Sequence, residues 1–214
     1  MWAVVPIKGF DSPKQRLAET LSPKERGDFA ESMLRDVIKA LYDLEGILVI
    51  SGDAAALEVA YCLGARVMQE KGNGGYSAAV HQACKMLAYA GVTGMMHVPG
   101  DVPLISRDEV KQIASFQASV PGACVVPSRD FGGTNCLALW PPDLMEPAFG
   151  SDSFRRHCEM LRDLGIKPIV LELDGFALDI DTSEDLRLFC MGQKNCSSLQ
   201  YLQSSGISAR ILSD

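Results

Sequence analysis

Two aspartates stand two residues apart in Leu178-Asp179-Ile180-Asp181-Thr182, and in an extended segment that spacing sets both carboxylates on one side of the chain. Carboxylates held so close repel unless a cation lies between them, and a hard divalent ion with oxygen ligands is the usual solution. The same residues also read as a helix start, with Asp181 or Ser183 as the cap and Glu184 and Asp185 facing the positive end of the helix dipole. Asp101 is a third carboxylate of interest. It follows the apolar run Met95 to Val98 in Pro99-Gly100-Asp101, where a strand would leave a sheet, and ligands of open parallel sheets collect at such ends. An Asp that only caps a turn is the alternative.

A basic set, Lys8, Lys14 and Arg16, follows the first apolar run, where a loop can wrap a triphosphate and Gly9 permits close backbone approach. A solvated charge run is the alternative. GxxxxGK[ST] is absent, so this is not a Walker loop. Gly132-Gly133-Thr134-Asn135 and Phe149-Gly150-Ser151-Asp152-Ser153-Phe154 either offer backbone N–H groups and hydroxyls to an anion or are plain turns. His81, His97 and His157 fall inside predicted helices or a buried strand and read as satisfied structural imidazoles. No Ser or Cys nucleophile has an evident paired base.

The elements that must position these residues alternate between short apolar runs and longer helical patterns, which implies an α/β domain with a mostly parallel sheet buried on both faces. Strands are predicted at Trp2 to Val5, Ile47 to Ile50, Ala65 to Met68, Met95 to Val98, Cys124 to Val126, Cys136 to Trp140 and near Ile169 to Leu173. Ser22-Pro23-Lys24-Glu25 opens a helix with a capping box, and Phe29, Met33, Val37 and Leu41 give it one apolar stripe. Further helices are expected from about Asp53 to Leu63, Tyr76 to Tyr89, from Ser106, from Ser153 to Leu164, and a last one from Ser183. Gly72-Asn73-Gly74-Gly75 reads as a flexible loop, and Asn195 to Asp214 is too polar to assign.

With 214 residues and 47% hydrophobic content, one domain with one substantial core is expected. A net charge of -7 argues against coating nucleic acid, which needs many Lys and Arg against phosphates. Seven cysteines without a CxxC suggest reduced core thiols. The N-terminus reaches Pro6 and Lys8 before any apolar stretch of signal-peptide length, and no run approaches the roughly 20 residues of a membrane span, so a cytoplasmic protein is expected.

Taken in order, Pro6-Ile7-Lys8 with Lys14-Gln15-Arg16-Leu17, Pro99-Gly100-Asp101-Val102-Pro103-Leu104, Gly132-Gly133-Thr134-Asn135, Phe149-Gly150 with Ser153-Phe154 and His157, and Leu178-Asp179-Ile180-Asp181-Thr182 resemble the 2-phospho-L-lactate guanylyltransferase family. The likeness covers roughly residues 1–190, which it implies are a Rossmann-like nucleotidyltransferase domain, with 191–214 as an unassigned C-terminal tail. It implies an enzyme that joins GTP to 2-phospho-L-lactate, phosphoenolpyruvate or 3-phosphoglycerate and releases diphosphate, in biosynthesis of coenzyme F(420). It further implies Asp101, Asp179 and Asp181 as ligands of Mg2+ or Mn2+, Lys8, Lys14 and Arg16 as the triphosphate-facing catalytic loop, and Thr134, Gly150 and Ser153 as holders of the acid. Gly75 and Ser77 stand at the nucleotide contact, where Gly75-Tyr76-Ser77-Ala78-Ala79 replaces the family's Gly-Leu-Asn-Ala-Ala, and Val102 replaces a common Leu. Expected partners are GTP and the small acid, with no nucleic acid and no membrane, and a homodimer left open. The alternatives are a cytidylyl-, uridylyl- or molybdenum-cofactor-type transferase, and a regulatory module that binds nucleotide without turnover.

Overall fold

The computed structural model describes residues 1–10, 14–70, 75–116 and 121–213. Its strands are β1 (Trp2–Pro6), β2 (Gly46–Ser51), β3 (Arg66–Gln69), β4 (Met95–His97), β5 (Gly122–Pro127), β6 (Thr134–Trp140) and β7 (Ile169–Val170). They form one sheet in the order β3-β2-β1-β4-β6-β5-β7. All neighbours are parallel except β6, which runs antiparallel to both β4 and β5.

Helices cover both faces. They are α1 (Pro23–Ala40), α2 (Ala54–Cys62), α3 (Gly75–Tyr89), α4 (Arg107–Ser115), α5 (Ser153–Asp163), α6 (Asp174–Ala177), α7 (Ser183–Met191), α8 (Ser197–Ser204) and α9 (Ile207–Ser213). Ala3 and Val5 of β1 join Val49, Leu34, Val37 and Ile38 in one core, while Val4 joins Leu48, Ile50, Val80 and Leu87 in another. This two-sided burial is why the central strands read as unbroken apolar runs. The expected stripe on α1 is present, with Phe29, Met33, Val37 and Leu41 all buried. Ser22 and Glu25 form the expected capping box in front of it.

Two features depart from the sequence reading. The strand expected near Ile169 to Leu173 is only two residues long, because the chain turns into α6 and buries Phe176. Ser183 does not open the last helix, since α8 and α9 follow it. These two pack Leu199, Leu202, Ile207 and Ile211 against Phe29, Leu186 and Phe189 in a third core. Asp36 of α1 anchors α8 by accepting the N–H groups of Ser197 at 2.7 Å and Ser198 at 2.8 Å. That satisfies orphan donors at the helix start. The predicted loop Gly72-Asn73-Gly74 and residues Asp11, Ser12 and Pro13 of the basic segment lie outside the described residues.

Candidate active site

β1 has β2 on one side and β4 on the other, so the segments leaving β1 and β4 part at a change in strand order. Such a switch point opens a crevice at the carboxyl edge of a sheet. Here the crevice is a cavity of about 700 Å³ whose wall includes Lys8, Lys14, Arg16, Asp101, Thr134, Gly150, Ser153, Asp179 and Asp181. Gly75 and Ser77 are the sequence candidates not brought to that wall. Gly75 opens α3 at φ +77, and the Ser77 hydroxyl accepts the Phe149 N–H at 2.9 Å.

The carboxylates come from two neighbouring segments. Ile180 donates its N–H to the Asp101 carbonyl at 3.1 Å, which sets the turn after β4 beside the chain entering α7. Thr182 caps α7 in a capping box with Asp185, so neither Asp181 nor Ser183 serves as the cap. Asp179 and Asp181 are thereby left to face the cavity. Lys14 lies between the carboxylates, bonded to Asp101 and, at 2.6 Å, to Asp181. Burial works against the Lys14 charge, but Asp101 and Asp181 outweigh it and raise its pKa. Burial likewise pushes Asp181 up, yet Lys14, Arg16 and Lys8 hold it below the usual carboxylate value. Asp179 is raised, by burial first and then by the charges of Asp101 and Asp181, against a hydrogen bond from Asn135 at 3.1 Å.

The donor set suits a hard cation. Asp101 Oδ1 is buried without a hydrogen-bond partner among the described residues, and an ammonium group already sits between Asp101 and Asp181. The described residues hold no group of three His, Cys, Asp or Glu side chains placed to cage a metal ion, and Lys14 bridges Asp101 and Asp181 instead.

The basic segment is tied down at its start. Gly9 has φ +109, and a side chain there would run into Asp53. Asp53 Oδ2 accepts the Phe10 N–H at 2.6 Å while Oδ1 caps α2 through the Ala55 N–H at 2.9 Å. Also in the cavity wall, Thr134 begins β6, Ser153 begins α5, and Gly150 precedes it at φ +118. Behind them stack Tyr76, His97, Phe149 and His157, with His97 and Phe149 centred 4.0 Å apart. Burial drives the His97 pKa down to about 3, helped by His157, and that of His157 down to about 4. His157 is satisfied on both nitrogens, as expected, whereas His97 Nδ1 has no partner among the described residues. Asn135, which also donates to the Phe176 carbonyl, and Asp53 carry no sequence signal of their positioning roles. Their partners lie more than 40 positions away in the chain.

A model of the family described as "Guanylyl transferase CofC like" matches residues 1–212. A 2-phospho-L-lactate guanylyltransferase of Methanothermobacter thermautotrophicus is 34% identical over 202 residues, covering 94% of this chain and 89% of the relative. A phosphoenolpyruvate guanylyltransferase of Rubrobacter xylanophilus is 34% identical over 188 residues, covering 87% and 91%. Among solved structures, a Desulfovibrio desulfuricans G20 protein assigned as a nucleotide-diphospho-sugar transferase superposes with TM-score 0.80 at 17% identity, covering 98% and 97%. A nucleotidyl transferase of Methanothermobacter thermautotrophicus gives TM-score 0.61 at 18% identity, covering 95% and 98%. At those identities the structural likeness establishes the fold.

Proposed function

The chain belongs to the CofC-like guanylyl transferase family and is a nucleotidyltransferase, and from that premise we propose that it joins GTP to a small phosphorylated three-carbon acid and releases diphosphate, in the biosynthesis of coenzyme F(420). The observation that carries the reading is the lining of one cavity. Acidic and basic clusters meet in its wall, and neutral donors stand in the same wall at a strand start and a helix start.

In this reading Lys8, Lys14 and Arg16 take the triphosphate, while Thr134, Ser153 and the Gly150 backbone take the acid. Gly75 and Ser77 are kept as the nucleotide-facing end of α3. The acid's phosphate attacks the α-phosphorus in line and diphosphate leaves. Mg2+ or Mn2+ bound by Asp101, Asp179 and Asp181 would offset the charge of two anions brought together. With such an ion on the carboxylates, Lys14 would be free to face the phosphates. The acceptor phosphate is already ionised near neutral pH, so no protein base is needed, in keeping with His97 and His157 being buried, neutral and poor proton acceptors. We also propose that residues 1–190 are the unit that carries the site and that the enzyme works in the cytoplasm. Among the described residues no helix is long and apolar enough to cross a membrane.

The test is a matrix of GTP, ATP, CTP and UTP against 2-phospho-L-lactate, phosphoenolpyruvate and 3-phosphoglycerate, read by diphosphate release and product mass. A guanylylated acid is expected. A cytidylyl or uridylyl product would replace the nucleotide assignment, and no diphosphate in any well would leave a binding module. Asp179→Asn and Asp181→Asn should each abolish turnover with the fold retained, because each removes a charged oxygen ligand at the cavity wall. Full activity of either at saturating magnesium would remove the metal assignment.

A further inference from the structure

His157 lies one turn into α5, on the same face as Ser153, and is fully buried. Its Nε2 is 2.9 Å from the Ala148 backbone nitrogen. A backbone N–H can only donate, so Nε2 must present a lone pair. Burial keeps the ring neutral near neutral pH, with its pKa down to about 4, and a neutral imidazole carries a single N–H. That proton therefore sits on Nδ1. Nδ1 is 2.9 Å from Thr134 Oγ1, so the imidazole donates and the threonine hydroxyl accepts. The hydroxyl's own hydrogen has no other recorded acceptor among the described residues, and Thr134 stands in the cavity wall.

We propose that His157 is a positioning residue that fixes Thr134 as a hydrogen-bond donor towards an anionic oxygen of the acceptor acid. The proposal rests on the reading that Thr134 meets the acid. One imidazole then ties together the parts that surround that substrate. It holds β6 through Thr134, the loop before Gly150 through Ala148, and α5 through its own backbone, with Phe149 edge-on against its ring at 5.0 Å. The fixed tautomer also gives selectivity. An acceptor offering a carboxylate or phosphate oxygen at this point completes the chain of donors, whereas one offering only a proton has to use the hydroxyl's single remaining lone pair.

Nitrogen NMR of the labelled protein at neutral pH reads the tautomer directly. The expected spectrum for His157 has a protonated Nδ1 and a lone-pair Nε2, and the reverse assignment would overturn the proposal. In kinetics, His157→Leu should lower kcat/KM for the acid by roughly ten-fold or more, with the GTP KM unchanged. His157→Asn, whose amide N–H can stand near the Nδ1 position, should recover much of that loss. Adding Thr134→Val to His157→Leu should cost little further, since both act on one hydrogen bond. Equal losses for both substrates, or no rescue by Asn, would leave His157 a packing residue and refute the proposal. If Thr134→Val alone leaves the acid's KM unchanged, the placement of the acid at Thr134 has failed. If that variant raises it while His157→Leu does not, only the role of His157 has failed.

Discussion

Replacing Lys14 by methionine keeps most of the side chain's stem and removes the charge that separates Asp101 from Asp181. Both carboxylates contact the same nitrogen. Two like charges on opposite sides of one atom sit on the order of 5 Å apart, and at an effective dielectric of about 20 they repel by about 3 kcal/mol. The Asp101 and Asp181 side chains are 27% and 46% exposed, so solvent screening reduces the expected loss of stability to about 1–2 kcal/mol. The sign with pH follows from the two shifts. The raised Lys14 pKa contributes stability that is complete below its ordinary value of 10.5 and lost above it as pH rises through the folded value. The lowered Asp181 pKa contributes stability that is complete above 3.8 and lost as pH falls through the folded value. The deficit of Lys14→Met should therefore be steady across neutral pH. Magnesium should reverse it, because an ion at about one hundred times its Kd stabilises by about 2.7 kcal/mol and in the variant has no ammonium to displace. Urea unfolding followed by circular dichroism, in EDTA and in magnesium, measures both quantities. A variant as stable as the parent in EDTA, with no larger gain from magnesium, would refute Lys14 as the cation that holds this acidic seat.

Acid should unfold the protein through its buried histidines. In the unfolded chain His97 and His157 titrate near 6.5, but folded they resist protonation until about 3 and about 4, so stability is complete above 6.5 and falls as pH drops towards those values. Each contributes a slope of up to about 1.4 kcal/mol per pH unit in that window, and urea midpoints at a series of pH values should show it. A flat profile between pH 6 and pH 4 would contradict the burial of both rings. Asp53→Ala should cost about 1 kcal/mol as a lost helix cap. It should also raise the KM for GTP and not that for the acid, because the same carboxylate holds the Phe10 N–H at the start of the basic segment. Unchanged GTP kinetics would detach that segment from Asp53.

Most of the scaffold was legible because local chemistry and tertiary packing agree. The capping boxes at Ser22 and Ser106 start α1 and α4 as written, and strands buried on both faces can only be apolar throughout. What was not legible depends on distant partners. The segment after Asn195 is polar on most of its surface and becomes helical because Asp36, far back on α1, supplies acceptors at its start. In the site, the charged residues could be named from their spacing and order. Their arrangement could not, since spacing pairs Asp179 with Asp181, whereas Lys14 bridges Asp181 to Asp101 and Asp179 accepts from Asn135. Ser77 is named by the family resemblance alone, and nothing in its spacing announces that its hydroxyl accepts the Phe149 N–H.

The antiparallel strand explains why both halves of the site lie at one edge. In a wholly parallel sheet only the last residues of each strand reach the crevice, and the chain must supply ligands from the loops that follow. Because β6 reverses, Leu137 pairs with His97 and Leu139 with Met95, so the first residues of β6 lie beside the last residues of β4. Thr134 and Asn135 are therefore brought to the same edge as Asp101. Asn135 then donates to Asp179 while its neighbour Thr134 is bonded to His157. Successive residues of a strand point to opposite sides. The pair can thus serve the acidic seat with one side chain and the acceptor with the next, and the separation between the two substrates is set by the backbone of β6. A one-residue register slip within β6 would exchange these two duties and would also swap Cys136, Ala138 and Trp140 with Leu137 and Leu139 between the two cores, so it should abolish turnover and destabilise the sheet together.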